Sequence, residues 1–144
     1  MDELAPEVEA LRKVEFFAEL TPQDLDRIAR IGERQRFEPG QAIFERGAEG
    51  TELYIILSGA AEVEVGGRSH TLGPGSFFGE MALVSGSRRS ATVRAKEPTE
   101  AMMIKSTYFK PFLLKNPSVA VAVLEGVIAR LREVQERIDA WMGS

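Results

Sequence analysis

Seven short runs between residues 36 and 105 do most to limit what this chain can fold into: QAIFERG, ELYIILSG, AAEVEVGG, RSHTLGPG, SFFG, SATVRA and TEAMMIK. Each is rich in Ile, Val, Phe or Tyr, or alternates apolar with polar residues, and Gly, Pro or Ser punctuates the series. Many short strands at close spacing predict a β-sandwich or a jelly-roll-like antiparallel β-barrel. AAEVEV alternates, so it has one buried and one wet face. LYIIL is continuously apolar, which predicts a strand buried on both sides.

Helical spacing frames this block. EVEALRKVEFFAEL reads as a helix, with Leu4 just before it, Val8, Leu11 and then Val14 or Glu15 on one face. A second helix has Thr21 as N-cap, Pro22 at its first position, Leu25, Ile28, Ala29 and Ile31 as its apolar face, and Gly32 as its stop. After Lys105, STYFKPFLLKN reads as a short helix with Pro111 inside it, and Asn116-Pro117 opens a long helix ending near Trp141. The expected fold is therefore α+β: N-terminal helices over about 4–32, a barrel over about 36–105, and C-terminal helices over about 106–142. At 144 residues this is one domain, 1–144.

On the long helix Leu124, Val127, Leu131, Val134, Ile138 and Trp141 recur every three or four residues, with Arg130, Arg132, Glu133, Glu136 and Arg137 flanking them. Such a seam either packs on the barrel or pairs with a second copy as a coiled coil; its narrowness and charged flanks favour a homodimer.

Composition excludes several functions. A net charge of -4 without a basic tract argues against a phosphate-backbone binder. No cysteine is present, so disulfides and thiolate chemistry are ruled out, and a reducing cytoplasm fits. One histidine, His70, is too few for a metalloenzyme of the β-barrel kind, and neither a Ser-His-Asp nor a Cys-His set is available. His70 reads as a surface or core residue. No enzyme activity and no metal site are expected. The N-terminus lacks a signal peptide's basic start and apolar core, and VAVAVLEGVIA is too short to span a bilayer.

The stretch FFGEMALVSGSRRSATV is harder to explain as core alone. EMALVS reads as a turn or two of helix, whose first N–H groups attract an anion. Gly79 allows close approach to that backbone, and Arg89 could return across VSGSR to neutralise the same anion. Glu80 would repel a phosphate but would accept from neighbouring hydroxyls. Phosphate beside sugar hydroxyls means a nucleotide. The bland alternative, an Arg–Glu pair closing a surface turn, stands at about even odds on spacing alone.

GEMALVSGSRRSATV closely resembles the phosphate-binding cassette of the cyclic nucleotide-binding domains, and PGQAIFERGAEGTELYIILSGAAEVEV is similar to the family's PG..I...G..G..LYII..G pattern. KVEFFAEL resembles its lead-in helix. The resemblance runs from about Leu11 to Trp141, with the cassette at 78–91. It implies that Arg89 contacts the exocyclic phosphate, that Glu80 holds the ribose 2′-hydroxyl, and that backbone N–H groups around Gly79, Met81, Ala82 and Ser90 complete the cradle. Arg88 stands where the family varies and takes no such role. Ala91 would lie under the ligand, Val63 and Leu72 would wall the base, and Val134 and Gln135 would form its lid.

Ser90 suits either cAMP or cGMP, with cAMP weakly favoured. The implied function is a cyclic nucleotide sensor that transmits binding through its C-terminal helix, with no cofactor beyond the ligand. A dimerising scaffold of the same fold that has lost its ligand is the alternative. No helix-turn-helix follows Trp141, so no DNA binding and no membrane contact are expected of this chain alone.

Overall fold

A computed structural model describes residues 5–14, 17–80 and 88–143. Helices α1 (Ala5–Arg12) and α2 (Pro22–Ile31) lead into β1 (Gly32–Phe37), β2 (Ala42–Phe44), β3 (Glu52–Ser58), β4 (Ala61–Val65), β5 (Arg68–Leu72), β6 (Phe77–Phe78), β7 (Thr92–Ala95) and β8 (Thr99–Lys105), and the chain closes with α3 (Ser106–Lys115) and α4 (Pro117–Gly143). The strands form two four-stranded antiparallel sheets, β1-β8-β3-β6 and β2-β7-β4-β5, facing each other as a jelly-roll-like barrel. The expected α+β class and barrel are what the structure has.

Strand β3 explains the arrangement of the core. Its side chains alternate between faces, as the pleat requires. Tyr54 and Ile56 point between the sheets and pack with Phe37, Phe78, Val63, Val93 and Ala101. Leu53, Ile55 and Leu57 point outward into a second core with Phe77, Met102 and Ile104, covered by Leu11, Leu25, Ile28, Phe109 and Val119 of the helices. LYIIL is continuously apolar because both of its faces are buried.

Helix α2 begins as its sequence requires: Thr21 Oγ1 accepts from the Asp24 N–H at 3.1 Å, the Asp24 carboxylate accepts from the Thr21 N–H, and Pro22 sits at the first position. Helix α3 tolerates Pro111, and the chain bends by 115° between α3 and α4. Among the described residues no single helix is long and apolar enough to cross a membrane.

Two boundaries differ from expectation. Helix α1 ends at Arg12, and the N–H groups of Lys13 and Val14 bond three residues back, as do those of Phe17 and Leu20. Strand β1 begins at Gly32 rather than near Arg36. GERQRF shows no apolar alternation because β1 is an edge strand, mostly exposed until Phe37, and its pairing with β8 from Gly32↔Ile104 onward makes it a strand. Leu4, Glu15 and the expected short helix after Gly79 lie outside the described residues.

Candidate functional site

The inner face of β4, the β5 hairpin, the turn after β6, the start of β7 and the middle of α4 enclose a cavity of about 470 Å³. One end is built around Arg89. Its backbone is fixed to the β2–β3 loop, with Arg89 N–H donating to Ala48 O at 2.8 Å and Gly47 N–H to Arg89 O at 2.9 Å. Its side chain is only 5 % exposed. The guanidinium stacks over the Phe44 ring at 4.1 Å, and Nη2 donates to the Glu52 carbonyl at 3.0 Å and to the Glu52 carboxylate at 3.2 Å. Among the described residues Nε is buried and has no hydrogen-bond partner. An unsatisfied buried donor is costly, which sets this atom apart from the satisfied Nη2 beside it.

Two glycines make room for that guanidinium. A Cβ on Gly50 would stand 2.2 Å from Arg89 Nε. Gly79 has φ +84, and a Cβ there would meet the Glu52 carbonyl oxygen at 2.8 Å and Arg89 Nη1 at 3.0 Å. Gly79 is thus required both by its backbone conformation and by the arginine beside it.

Glu80 is the next element of the wall. Arg130 of α4 reaches it, donating from Nη1 to the carboxylate at 2.6 Å, while Nη2 donates to the Phe77 carbonyl and the guanidinium lies 4.1 Å above the Phe77 ring. These contacts tie the long helix directly to the residue beside the cradle. Burial pushes the Tyr54 hydroxyl above its ordinary range; the Glu52 charge adds to the rise and Arg89 opposes it.

Of the residues singled out from sequence, Gly79, Glu80, Arg89, Ser90, Ala91, Val63, Leu72 and Val134 all line this one cavity. His70 lines it too. Gln135 does not; it is exposed and its amide donates to Asp139 at 2.9 Å. Met81 and Ala82 lie outside the described residues. Arg88 lines the rim but is 67 % exposed and engages Gly47 O and Glu49.

Sequence reasoning missed Phe44, Gly50, Glu52 and Arg130. Gly50 was visible inside the quoted glycine pattern, but nothing local pairs Glu52 with Arg89, 37 residues away. Arg130 was visible only as a charged flank of the α4 seam.

Comparison with known proteins gives the family of a chain with this cavity. Residues 34–116 match the family model of the cyclic nucleotide-binding domain. This chain belongs to the cyclic nucleotide-binding domain family. It is 32% identical over 130 residues to the cyclic AMP receptor protein of Thermus thermophilus, covering 86% of this chain and 60% of the receptor. Over 107 residues it is 34% identical to a cyclic nucleotide-gated potassium channel of Mesorhizobium japonicum, covering 74% of this chain and 30% of the channel. The cyclic nucleotide-binding domain thus spans less than two thirds of the length of either relative. The crystal structure of Thermus thermophilus catabolite activator protein superimposes with a TM-score of 0.76 at 31% identity, over 88% of this chain and 62% of that one.

Proposed function

We propose that this domain is a regulatory sensor that binds a 3′,5′-cyclic nucleotide without transforming it, cAMP in preference to cGMP, and passes the change on through α4. The observation that carries this reading is Arg89: a guanidinium fixed by packing in the cavity wall, with a buried Nε that has no partner among the described residues. Phosphate would take that donor and the N–H groups beside Gly79, including those of Met81 and Ala82. The ribose 2′-hydroxyl would donate to Glu80, and the base would lie against Val63 and Leu72 under Val134. The preference for cAMP rests on likeness to a protein named as a cyclic AMP receptor, since Ser90 is compatible with either nucleotide.

Arg130 supports transmission. A hydroxyl donating to Glu80 would share its carboxylate with the Arg130 guanidinium, a direct polar link between α4 and the cavity wall. A ligand shifts α4 only by its differential affinity for the two arrangements of that link. The apolar seam supports a homodimer through α4, since Leu124, Leu131 and Ile138 are all exposed in the single chain.

The test is thermal unfolding with and without nucleotide. Ligand at a hundred times its Kd adds about 2.7 kcal/mol of stability, enough to raise Tm by several degrees. The native protein should show that rise with cAMP and a smaller one with cGMP at equal concentration. No rise with either nucleotide overturns the proposal.

A further inference from the structure

Glu52 places a full negative charge beside the arginine that the proposed function assigns to the phosphate. Its Oε1 is 3.2 Å from Arg89 Nη2, and its side chain is 29 % exposed. That carboxylate is not needed to position Arg89. The backbone bonds to Gly47 and Ala48, the stacking on Phe44, the close walls at Gly50 and Gly79 and the bond to the Glu52 carbonyl already fix the guanidinium. What the carboxylate adds is charge.

The other charges at the cavity fall into opposite pairs and do not offset it: Glu133 and Arg137, which both line it from α4, carry opposite charges. Arg130 is held by Glu80, and Arg88 is solvent-exposed and faces Glu49. The cradle therefore offers an anion strong donors but almost no net positive charge. A cyclic phosphodiester carries one negative charge, whereas a phosphomonoester carries close to two at neutral pH. Each added negative charge within several ångströms of Glu52 meets its repulsion again.

We propose that Glu52 is a specificity residue that sets the charge the site accepts: it admits the singly charged cyclic phosphodiester and rejects the doubly charged 5′-monophosphate left by ring opening. The inference rests on the reading of Arg89 as the phosphate's partner. It makes a carboxylate next to an anion site useful rather than anomalous, because the ring-opened nucleotide has the same base and sugar.

The experiment compares the full chain with Glu52→Gln, whose amide oxygen still accepts from Nη2, by competition against labelled cAMP at fixed pH and ionic strength. Competitors are cAMP, 5′-AMP and the methyl ester of 5′-AMP, which is acyclic but carries one charge. With an effective dielectric of about 40, between a protein surface and water, and a separation of about 6 Å, Glu52→Gln should tighten cAMP on the order of tenfold and 5′-AMP on the order of a hundredfold, so that discrimination falls about tenfold. The native protein should bind the methyl ester more tightly than 5′-AMP. That comparison needs no variant and decides the matter if Glu52→Gln does not fold. Weaker binding of both nucleotides to Glu52→Gln, an unchanged ratio, or a methyl ester no better than 5′-AMP overturns the inference while leaving the sensor intact. No binding of any nucleotide to the native protein overturns the sensor, and this inference with it.

Discussion

The Arg130–Glu80 contact gives the sharpest prediction about how α4 is held. Its two side chains are 31 % and 25 % exposed, so the pair is neither a solvated surface bridge nor a fully desolvated one. A charge-assisted bond of 2.6 Å in that setting contributes about 1 kcal/mol, above the exposed-pair median and below a buried pair. Arg130 also bonds the Phe77 carbonyl and stacks on the Phe77 ring, which together add roughly 1–2 kcal/mol. Arg130→Met, which keeps the apolar stem, should therefore destabilise the fold by about 2–3 kcal/mol, and Glu80→Gln by about 1 kcal/mol. A double-mutant cycle in urea unfolding should return a coupling of about 1 kcal/mol that shrinks with added salt. Hydrogen exchange of α4 amides around Arg130 should accelerate in Arg130→Met. A coupling within about 0.3 kcal/mol of zero, with unchanged exchange along α4, would refute the claim that this pair fastens the helix to the cradle.

Three further predictions test the rest of the account. Arg89→Ala should weaken nucleotide binding by about 2–5 kcal/mol, as expected when one partner of a buried charge pair is truncated; Arg88→Ala should change it by less than about 0.5 kcal/mol, and equal losses measured by equilibrium dialysis would mean the wrong arginine has been assigned. Gly79→Ala should cost at least about 1–3 kcal/mol of stability, because a side chain there must adopt positive φ and meet the Glu52 carbonyl; unfolding at the native urea midpoint would contradict that packing. Leu131→Asp combined with Ile138→Asp should give monomers by light scattering if α4 pairs two copies, and an unchanged mass would remove the α4 dimer.

The barrel was legible in the sequence where burial is asymmetric or complete. AEVEV alternates because β4 has one wet face, and LYIIL does not because β3 is buried on both. GERQRF was not legible, because an edge strand held by main-chain bonds to β8 needs no apolar pattern. The cradle was legible wherever its residues are close in sequence: Gly79, Glu80, Arg89, Ser90 and Ala91 all reach one cavity. Contacts made by folding were not. Glu52 and Arg130 lie 37 and 50 residues from their partners, and an arginine on a heptad flank looks the same whether it faces solvent or Glu80. Gln135 shows the converse limit: on a helix one position separates Val134, which faces the cavity, from a neighbour paired with Asp139.

The most direct measurement is calorimetric titration of the chain, refolded to strip any carried-over ligand, with cAMP and cGMP in parallel. The account predicts saturable binding at micromolar concentration or below, one site per chain, tighter for cAMP and weakened by about 2–5 kcal/mol in Arg89→Ala. A folded protein that gives no heat with either nucleotide at several temperatures would contradict it, leaving a domain that keeps the cradle without filling it.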